Sequence, residues 1–348
     1  MEQSKSQQTL IVGCYTDETH QQGILRYTFD SGSLTPIPTL NLESLSNCSY
    51  LAHYSKDTLY AVCENNPGSV ASINKSKWEV TSVQESQGTY PCHLVGHQGM
   101  LYVANYLSGT LAYFQANDTI EKGEAITHTG ETGPNKDRQK APHTHMTKID
   151  PSGKYLLVPD LGLDTVFVYS IEEGIPKQLF AFKCPPGSGP RHLDFHPTAP
   201  YLFILAELSN HLLICSWNPS TPSDMIKPLS SLSTLPSDFS GESISADIHV
   251  HPNGKVVYTS NRGYDSIAVF GFDESEGRAE LVRIVEVNTK WPRSFTLDKD
   301  GKYMLVAGQK SGNIVVLAVS EDGKELTENG VEVKDIGMPV CLIFEQFE

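Results

Sequence analysis

The sequence predicts an all-β fold, a seven-bladed β-propeller with four antiparallel strands per blade, built by a single domain over residues 1–348. The first observation is an internal repeat, because units of about 40 to 55 residues with four strands each are typical of propellers. The second is that no stretch has a long 3.6-residue apolar periodicity, so helix should be nearly absent. Seven apolar strands mark the repeat, and they start at Leu10, Leu59, Leu101, Tyr155, Tyr201, Val256 and Tyr303.

Most repeats contain a recognisable hairpin before the apolar strand. A short alternating strand is followed by a turn such as Asp150-Pro-Ser-Gly-Lys154 or His251-Pro-Asn-Gly-Lys255, and then by the apolar strand. Pro and Gly between two apolar runs favour a tight turn, so the pair reads as an antiparallel hairpin. His196 and His251 occupy the first turn position and are interpreted as turn residues.

The two ends of the chain complement each other. The first apolar strand, residues 9–15, has no short strand before it, whereas the segment from Met338 onward has no strand after it. Pairing the two would complete one blade and leave no open sheet edge. We therefore expect the first and last strands to share a blade, with residues 1–8 as a flexible N-terminus.

Two connections between the repeats are longer than the others. Residues 117–141 are polar and charged, and residues 218–245 are rich in Ser and Pro. Both are predicted as long loops. The first leads directly to Arg138 and towards His143, so a lid over a functional site is one interpretation, with surface decoration as the alternative.

Composition and charge limit the kinds of partner that the protein is expected to bind. The net charge of −15 disfavours nucleic acid and anionic membranes as partners, although a local basic site could still bind a small anion. There is no apolar stretch of membrane-spanning length and no apolar run of a secretory signal near Met1, so a cytoplasmic location is expected. The seven cysteines form no CxxC pair, which favours free thiols in a reducing compartment. A monomer or weak homodimer without a cofactor is expected.

The hairpin geometry predicts where polar side chains meet. The start of each short strand and the end of the following apolar strand lie at the same rim of the propeller. The residues at this rim that could carry chemistry are His145, Arg191, Glu207 and Arg262. Arg293 is a further arginine there, and guanidinium groups match carboxylates and phosphates. The rim therefore predicts an anion site, although any single arginine could serve only to bridge two blades.

Three more residues are candidates for substrate binding: Arg138, His143 and Asn261. His143 and His145 are two positions apart, so in a strand both would face one way, as two metal ligands do. No third His or Cys follows at ligand spacing, so no metal site is predicted.

Several blocks resemble the seven-bladed-propeller lactonase family, and the resemblance covers essentially the whole chain. The blocks are Val12-Gly-Cys-Tyr-Thr16, Arg138-Gln-Lys-Ala-Pro-His-Thr-His145 with Val158-Pro-Asp-Leu-Gly-Leu-Asp164, Gly189-Pro-Arg-His-Leu-Asp-Phe-His-Pro197 with Ala206-Glu-Leu-Ser-Asn210, and Val257-Tyr-Thr-Ser-Asn-Arg-Gly263 with Asp265-Ser-Ile. The resemblance implies metal-independent hydrolysis of a sugar lactone. A fungal relative, a carboxymuconate cyclase, has a proposed site of one histidine, two arginines and a glutamate, which match His145, Arg191, Arg262 and Glu207.

The expected reaction is hydrolysis of 6-phosphoglucono-1,5-lactone to 6-phosphogluconate, a step of the pentose phosphate pathway, with His145 or Glu207 as the base. Three alternatives stay open. One is a lactonising cycloisomerase that acts on a dicarboxylate. Another is a calcium-dependent lactonase with Glu207, Asn261, Asn105 and Asp160 as oxygen ligands. The third is a non-catalytic interaction propeller, because a fold does not determine its function.

Overall fold

The computed structural model describes residues 7–38, 42 and 44–345. Within these residues there are 28 strands and no helix, and the strands form seven four-stranded antiparallel sheets. The prediction of a seven-bladed propeller is confirmed. Nothing among the described residues could cross a membrane as a helix.

Three blades are built around the N-terminal half of the chain. The first contains β1 (Gln8–Tyr15), β2 (Ile24–Asp30) and β3 (Ser33–Ile37), the second β4 (Tyr50–His53), β5 (Thr58–Cys63), β6 (Ser69–Asn74) and β7 (Glu79–Glu85), and the third β8 (Pro91–His97), β9 (Met100–Asn105), β10 (Thr110–Gln115) and β11 (Glu124–Thr127).

The remaining blades follow in chain order. The fourth contains β12 (Lys148–Ile149), β13 (Tyr155–Asp160), β14 (Thr165–Ser170) and β15 (Lys177–Lys183), and the fifth β16 (Pro190–Phe195), β17 (Tyr201–Ala206), β18 (His211–Trp217) and β19 (Ile226–Ser233). The sixth contains β20 (Ile244–Val250), β21 (Val256–Arg262), β22 (Ser266–Asp273) and β23 (Arg278–Glu286), and the seventh β24 (Pro292–Leu297), β25 (Tyr303–Gly308), β26 (Asn313–Val319) and β27 (Leu326–Val333).

The last strand, β28 (Met338–Phe344), completes the first blade. Its sheet has the order β28-β1-β2-β3, with Leu10 opposite Phe344 and Tyr15 opposite Met338. Closure of the ring by the two ends of the chain is therefore confirmed. The prediction of a flexible segment over residues 1–8 is wrong for Gln8, which is buried in β1 opposite Phe29. Residues 1–6 lie outside the described residues.

Both predicted long loops contain an outer strand, which corrects their interpretation. β11 lies within residues 117–141, and β19 lies within 218–245, where β20 also begins at Ile244. Outer strands are largely exposed and have a weak apolar pattern; β19 reads Ile-Lys-Pro-Leu-Ser-Ser-Leu-Ser, in which Ile226 is buried. The parts of the two segments that form no strand are residues 117–123, 128–141, 218–225 and 234–243, and the connection that starts at residue 128 continues to residue 147.

The hydrophobic core is divided among the blades. Seven apolar clusters each join two neighbouring blades, so that every blade is buried on both faces by its neighbours. Turn histidines add polar links between blades. Nε2 of His196 lies 2.9 Å from the Gly254 carbonyl, and Nε2 of His251 lies 3.1 Å from the Gly301 carbonyl, which confirms both as turn residues.

Candidate active site

Glu207 follows β17 at the mouth of the central channel, and its side chain is only 1% exposed. Three guanidinium groups surround its carboxylate. Nη2 of Arg138 lies 2.5 Å from Oε1, while Nη2 of Arg262 and Nε of Arg191 lie 2.7 Å and 2.9 Å from Oε2. The structure thus brings together an acid and three arginines from three different parts of the sequence.

The position of Arg191 follows from an irregularity in its strand. The register between β16 and β17 shifts between Pro190 and His192, so Arg191 has no partner across the hairpin. Equivalent register shifts leave Cys92 in β8 and Arg293 in β24 without a partner across their hairpins. Bulges of this kind re-aim a side chain and are frequent next to active sites. Here they present one residue from each of three blades to the channel.

Backbone carbonyls of β20 fix the two buried arginines. Nη1 of Arg191 donates to the Ala246 carbonyl, and Nη2 of Arg262 donates to the Ser245 carbonyl at 2.9 Å. Nε of Arg191 and Nε of Arg262 are buried without a hydrogen-bond acceptor in the described part of the chain, because the contact of Arg191 with Glu207 is an ion pair without hydrogen-bond geometry. The cluster therefore contains two buried positive donors whose hydrogen bonds are not met by the described residues.

Arg293 is a fourth cation of the channel. Within residues 7–38, 42 and 44–345 it forms no ion pair, and its guanidinium lies 5.5 Å from the Tyr15 ring. Tyr15 itself donates to Oε2 of Glu64 at 2.7 Å. Burial disfavours the charge of Arg293, but Tyr15, Glu64 and Glu207 together raise its pKa, so it stays protonated.

The electrostatics of the cluster favour its ionised form. Burial alone would raise the pKa of Glu207, but Arg262, Arg191 and Arg138 hold that pKa at about 2. Burial lowers the pKa of Arg262 to about 9, which is still above neutral, so its guanidinium stays charged. Glu207 is consequently a carboxylate at neutral pH and a weak proton acceptor.

His145 lies beside the cluster with a neutral ring. Its Nδ1 is 3.8 Å from Sγ of Cys92, and its Nε2 has no hydrogen-bond partner among the described residues. Burial first, and then Arg191, His192 and Arg293, hold the pKa of His145 well below its usual value. An isolated histidine has a pKa near 6.5, so the neighbouring arginines and burial favour the neutral ring of His145 more strongly than the residue type alone does.

His143 lies beside Tyr106, whose hydroxyl contacts Arg138, and it does not pair with His145. Its ring stacks on Tyr106 with centroids 4.6 Å apart, and its Nδ1 lies 2.9 Å from the Tyr106 carbonyl. In the described part of the chain no three His, Cys, Asp or Glu side chains are grouped as metal ligands. His143 is thus held as a wall of the site.

The structure does not bring Asn261, a predicted substrate-binding residue, into contact with the arginine cluster. Asn261 is fully buried, its Oδ1 accepts from Thr234 at 2.7 Å, and its Nδ2 donates to the Thr234 carbonyl at 2.8 Å. Asn105 and Asp160 are likewise buried, and the oxygens of Asp160 accept from His128 and His143. These side chains brace the blade loops, so the calcium ligand set considered from the sequence does not assemble.

Sequence reasoning missed several residues of the channel. Deeper in it, Nδ1 of His192 lies 2.9 Å from Oδ1 of Asp247, beside a cavity of about 10 Å³. At the rim, Trp291 contacts Arg262, whose guanidinium carbon lies 5.7 Å from the ring centroid. The dipeptide Trp291-Pro292 matches Tyr90-Pro91 in the third blade, and this match between repeats could have identified Trp291 from the sequence.

A second concave region lies far from this cluster. A groove of about 840 Å³ is lined by turn residues of the opposite rim, including His196, Gly254 and Glu274. Its carboxylates and cations are mixed. We place the candidate active site at the arginine cluster, because buried charges with unmet donors are found there.

The seven-bladed fold and the buried cluster of charged side chains at the channel mouth define a propeller of the enzyme class. The chain belongs to the family described as "Lactonase, 7-bladed beta-propeller", whose profile matches residues 9–344, and it is a hydrolase of lactone esters. It is similar to the 6-phosphogluconolactonase of Bacillus subtilis (strain 168), with 30% identity over 342 residues that cover 96% of this chain and 97% of the relative.

Solved structures agree with this assignment. A Bacteroides fragilis protein superimposes with a TM-score of 0.89 at 29% identity and covers 99% of both chains. The periplasmic gluconolactonase of Pseudomonas aeruginosa gives a TM-score of 0.88 at 26% identity, covering 97% of this chain and 99% of that one. The names of these relatives thus include a phosphorylated and an unphosphorylated lactone.

Proposed function

We propose that the protein hydrolyses 6-phosphoglucono-1,5-lactone to 6-phosphogluconate at the mouth of the central channel, without a metal ion. The observation that carries this proposal is the excess of positive charge there. Four guanidinium groups, those of Arg138, Arg191, Arg262 and Arg293, outnumber the three carboxylates that act on them, which belong to Glu207, Glu64 and Asp247. Such a site favours a substrate with its own negative charge. The name of the Bacillus relative supports a phosphorylated lactone.

Lactone opening requires a base, an oxyanion-stabilising group and an acid. In the proposed mechanism the neutral ring of His145 accepts a proton from water through its free Nε2 while the water oxygen bonds to the lactone carbonyl carbon. The protonated imidazole then returns that proton to the ring oxygen as the ester C–O bond breaks. The product is an open-chain hydroxy acid, which releases its own proton to solvent.

The arginines stabilise charge in this scheme. In this proposal the guanidinium groups of Arg191 and Arg262, whose Nε donors lack hydrogen-bond acceptors among the described residues, stabilise the carbonyl oxygen as it becomes an oxyanion. Glu207, with its pKa at about 2, is a poor base, and its role is to hold the guanidinium groups in place. A divalent cation would be repelled by four arginines, which supports metal independence. Activity that persists in excess chelator is the corresponding test.

The proposal includes the cellular location of the reaction and the pathway to which it belongs. All seven cysteines are free and buried, in keeping with a reducing cytoplasm and the pentose phosphate pathway. The Pseudomonas relative is described as periplasmic, so location is to be measured by fractionation.

A pH-stat assay on freshly prepared 6-phosphogluconolactone tests the proposal, with spontaneous hydrolysis subtracted. We expect the wild type to accelerate hydrolysis and Arg262→Ala to lose about 100-fold or more in kcat/KM. Arg278→Ala is the matched control, because this arginine is 75% exposed and pairs only with Glu276. No acceleration by the wild type would refute the substrate, and turnover of a carboxymuconate instead would favour the cycloisomerase.

A further inference from the structure

Trp291 and Lys310 form a paired unit on the rim of the seventh blade, next to the arginine cluster. Nζ of Lys310 lies 3.4 Å from the centroid of the Trp291 ring, and the guanidinium carbon of Arg262 lies 5.7 Å from the same centroid. One indole therefore has two cations beside it. An aromatic ring attracts a cation without using its N–H donors, so these donors stay available to an anion.

The internal repeat shows that the turn itself does not require these side chains. The amide of Lys310 donates to the Lys290 carbonyl, as Leu107 donates to Thr89 in the third blade and Leu208 to Ser188 in the fifth. Lys310 thus occupies a slot that carries leucine in two other blades. The neighbouring slot of Trp291 carries Tyr90 in one of these blades and Gly189 in the other.

The backbone at this slot favours glycine. Trp291 has a φ of +63°, close to the +58° of Gly189. Side chains other than glycine adopt this left-handed region at a cost, and such outliers concentrate at functional sites. Hydrogen bonds hold the turn, since the Trp291 amide donates to Oδ1 of Asp265 at 2.8 Å. A large aromatic side chain is therefore fixed beside Arg262 despite the backbone preference.

Lys310 and its neighbour Lys290 differ in whether they form an ion pair. Lys290 is 75% exposed on its side chain and forms an ion pair with Oδ2 of Asp265 at 3.2 Å. Lys310 is exposed and forms no ion pair within the described residues. Its ammonium group thus lacks a carboxylate partner at the same rim as Arg262, where a bound substrate would extend outward from the channel.

We propose that Trp291 and Lys310 form a subsite for the phosphoryl group of the substrate and set the preference for a phosphorylated over an unphosphorylated lactone. This inference rests on the proposed function. Arg262 contacts both Glu207 and Trp291, so it links the reacting ester to the subsite. A phosphomonoester carries about two negative charges at neutral pH, and an ammonium held on an aromatic face binds it by charge-assisted hydrogen bonds.

Equilibrium binding of the two product acids tests the subsite separately from catalysis. Isothermal titration calorimetry would compare 6-phosphogluconate with gluconate on the wild type, Lys310→Ala and Lys290→Ala. We expect the wild type to prefer 6-phosphogluconate and Lys310→Ala to lose about tenfold in affinity for it, with gluconate binding and the Lys290→Ala control unchanged. Trp291→Phe, which keeps an aromatic face, should retain most of the preference, and Trp291→Leu should lose it.

Steady-state rates add a second measurement. For the phosphorylated lactone, Lys310→Ala should raise KM about tenfold with kcat nearly unchanged, whereas rates on glucono-1,5-lactone should match the wild type. No wild-type preference for the phosphorylated acid, or equal losses in Lys310→Ala and Lys290→Ala, overturns the subsite. A wild type that hydrolyses neither lactone overturns the proposed function instead, and the calorimetry still decides the subsite.

Discussion

Arg138 and Glu207 are 69 positions apart in the sequence, yet Nη2 of Arg138 lies 2.5 Å from Oε1 of Glu207. The arginine side chain is 36% exposed, whereas the carboxylate is 1% exposed. Arg138 therefore forms the outer wall of the cluster, between Glu207 and solvent. This contact gives the connection at residues 128–147 a direct part in the candidate site, whether or not it moves as a lid.

Arg138→Ala should weaken substrate binding more than it affects the chemical step. The substitution removes the solvent-facing cation but leaves Arg191 and Arg262 on the carboxylate, so we expect KM to rise about tenfold and kcat to fall less. Steady-state kinetics on the phosphorylated lactone measure both values. A loss confined to kcat would contradict a binding role for Arg138.

Glu207→Gln should destabilise the protein as well as lower its activity. The change leaves two buried guanidinium groups without a counter-charge, and breaking a buried ion pair in this way costs about 3–5 kcal/mol. Urea unfolding of the variant should show this loss, with near-native circular dichroism before the transition. Glu276→Gln, on an exposed pair with Arg278, is the control and should change stability very little. Wild-type stability in Glu207→Gln would show that the arginines do not depend on this charge.

The pH profile of kcat/KM should report the lowered pKa of His145. A general base works when it is deprotonated, so activity is present above its pKa and falls as pH decreases through it. Because burial and Arg191 lower this pKa, the acid limb should lie below pH 6.5. His145→Gln should lose about 100-fold or more in kcat, and its residual rate should lack that limb. An acid limb centred above pH 6.5 in the wild type is the contradictory result.

Stability should decrease in mild acid because of His192. Burial first, and then Arg191, lower the pKa of His192 to about 4, although Asp247 opposes this shift. A histidine with a depressed pKa in the folded state stabilises fully above its unfolded value near 6.5, and this contribution is lost as pH falls towards 4. The same Asp247 raises the pKa of His249, which offsets part of the loss.

The variant His192→Gln isolates this contribution. Thermal unfolding of the wild type and the variant between pH 7.5 and 4.5 should show the two melting temperatures converging as pH falls, because only the wild type must take up a proton at this position on unfolding. A difference in melting temperature that stays constant from pH 7.5 to 4.5 would mean that the pKa of His192 is not lowered in the folded protein.

Deleting residues 339–348 should prevent formation of the closed ring. The deletion removes most of β28, which pairs with β1 and forms the inner strand of the first blade; residues 346–348 lie outside the described part. The truncated chain should expose the edge of β1 and aggregate or melt well below the wild type. Differential scanning calorimetry and light scattering measure these outcomes, and an unchanged melting temperature would contradict the closure argument.

The fold could be predicted because its signals are local and repeated. Turns such as Asp150-Pro-Ser-Gly-Lys154 and the buried apolar strands after them recur in most blades. The outer strands could not be predicted in the same way, since β11 and β19 face solvent and have no apolar pattern. The burial of Gln8 was missed because it depends on a contact between distant parts of the chain, in which the Lys299 amide donates to Oε1 of Gln8.

The location of the candidate site could be predicted from the sequence, but the chemical roles of its residues were harder to predict. The hairpin geometry selected Arg191, Glu207 and Arg262, and the structure brings their side chains into contact. Their roles depend on pKa values that only the assembled cluster determines. The hydrogen bonds that hold Asn261 to the connection at Thr234 could not be predicted, because they leave no trace in the local sequence.

The pairing of β1 with β28 also dictates the order in which the protein can mature during translation. Blades two to seven can each form from contiguous chain as it emerges, but the first blade waits for residues Met338–Phe344. Contacts between such distant segments are slow to form and leave an exposed edge in the meantime. The channel that holds the arginines is therefore completed only after β28 has been synthesised, and a chain without this strand would leave the edge of β1 exposed.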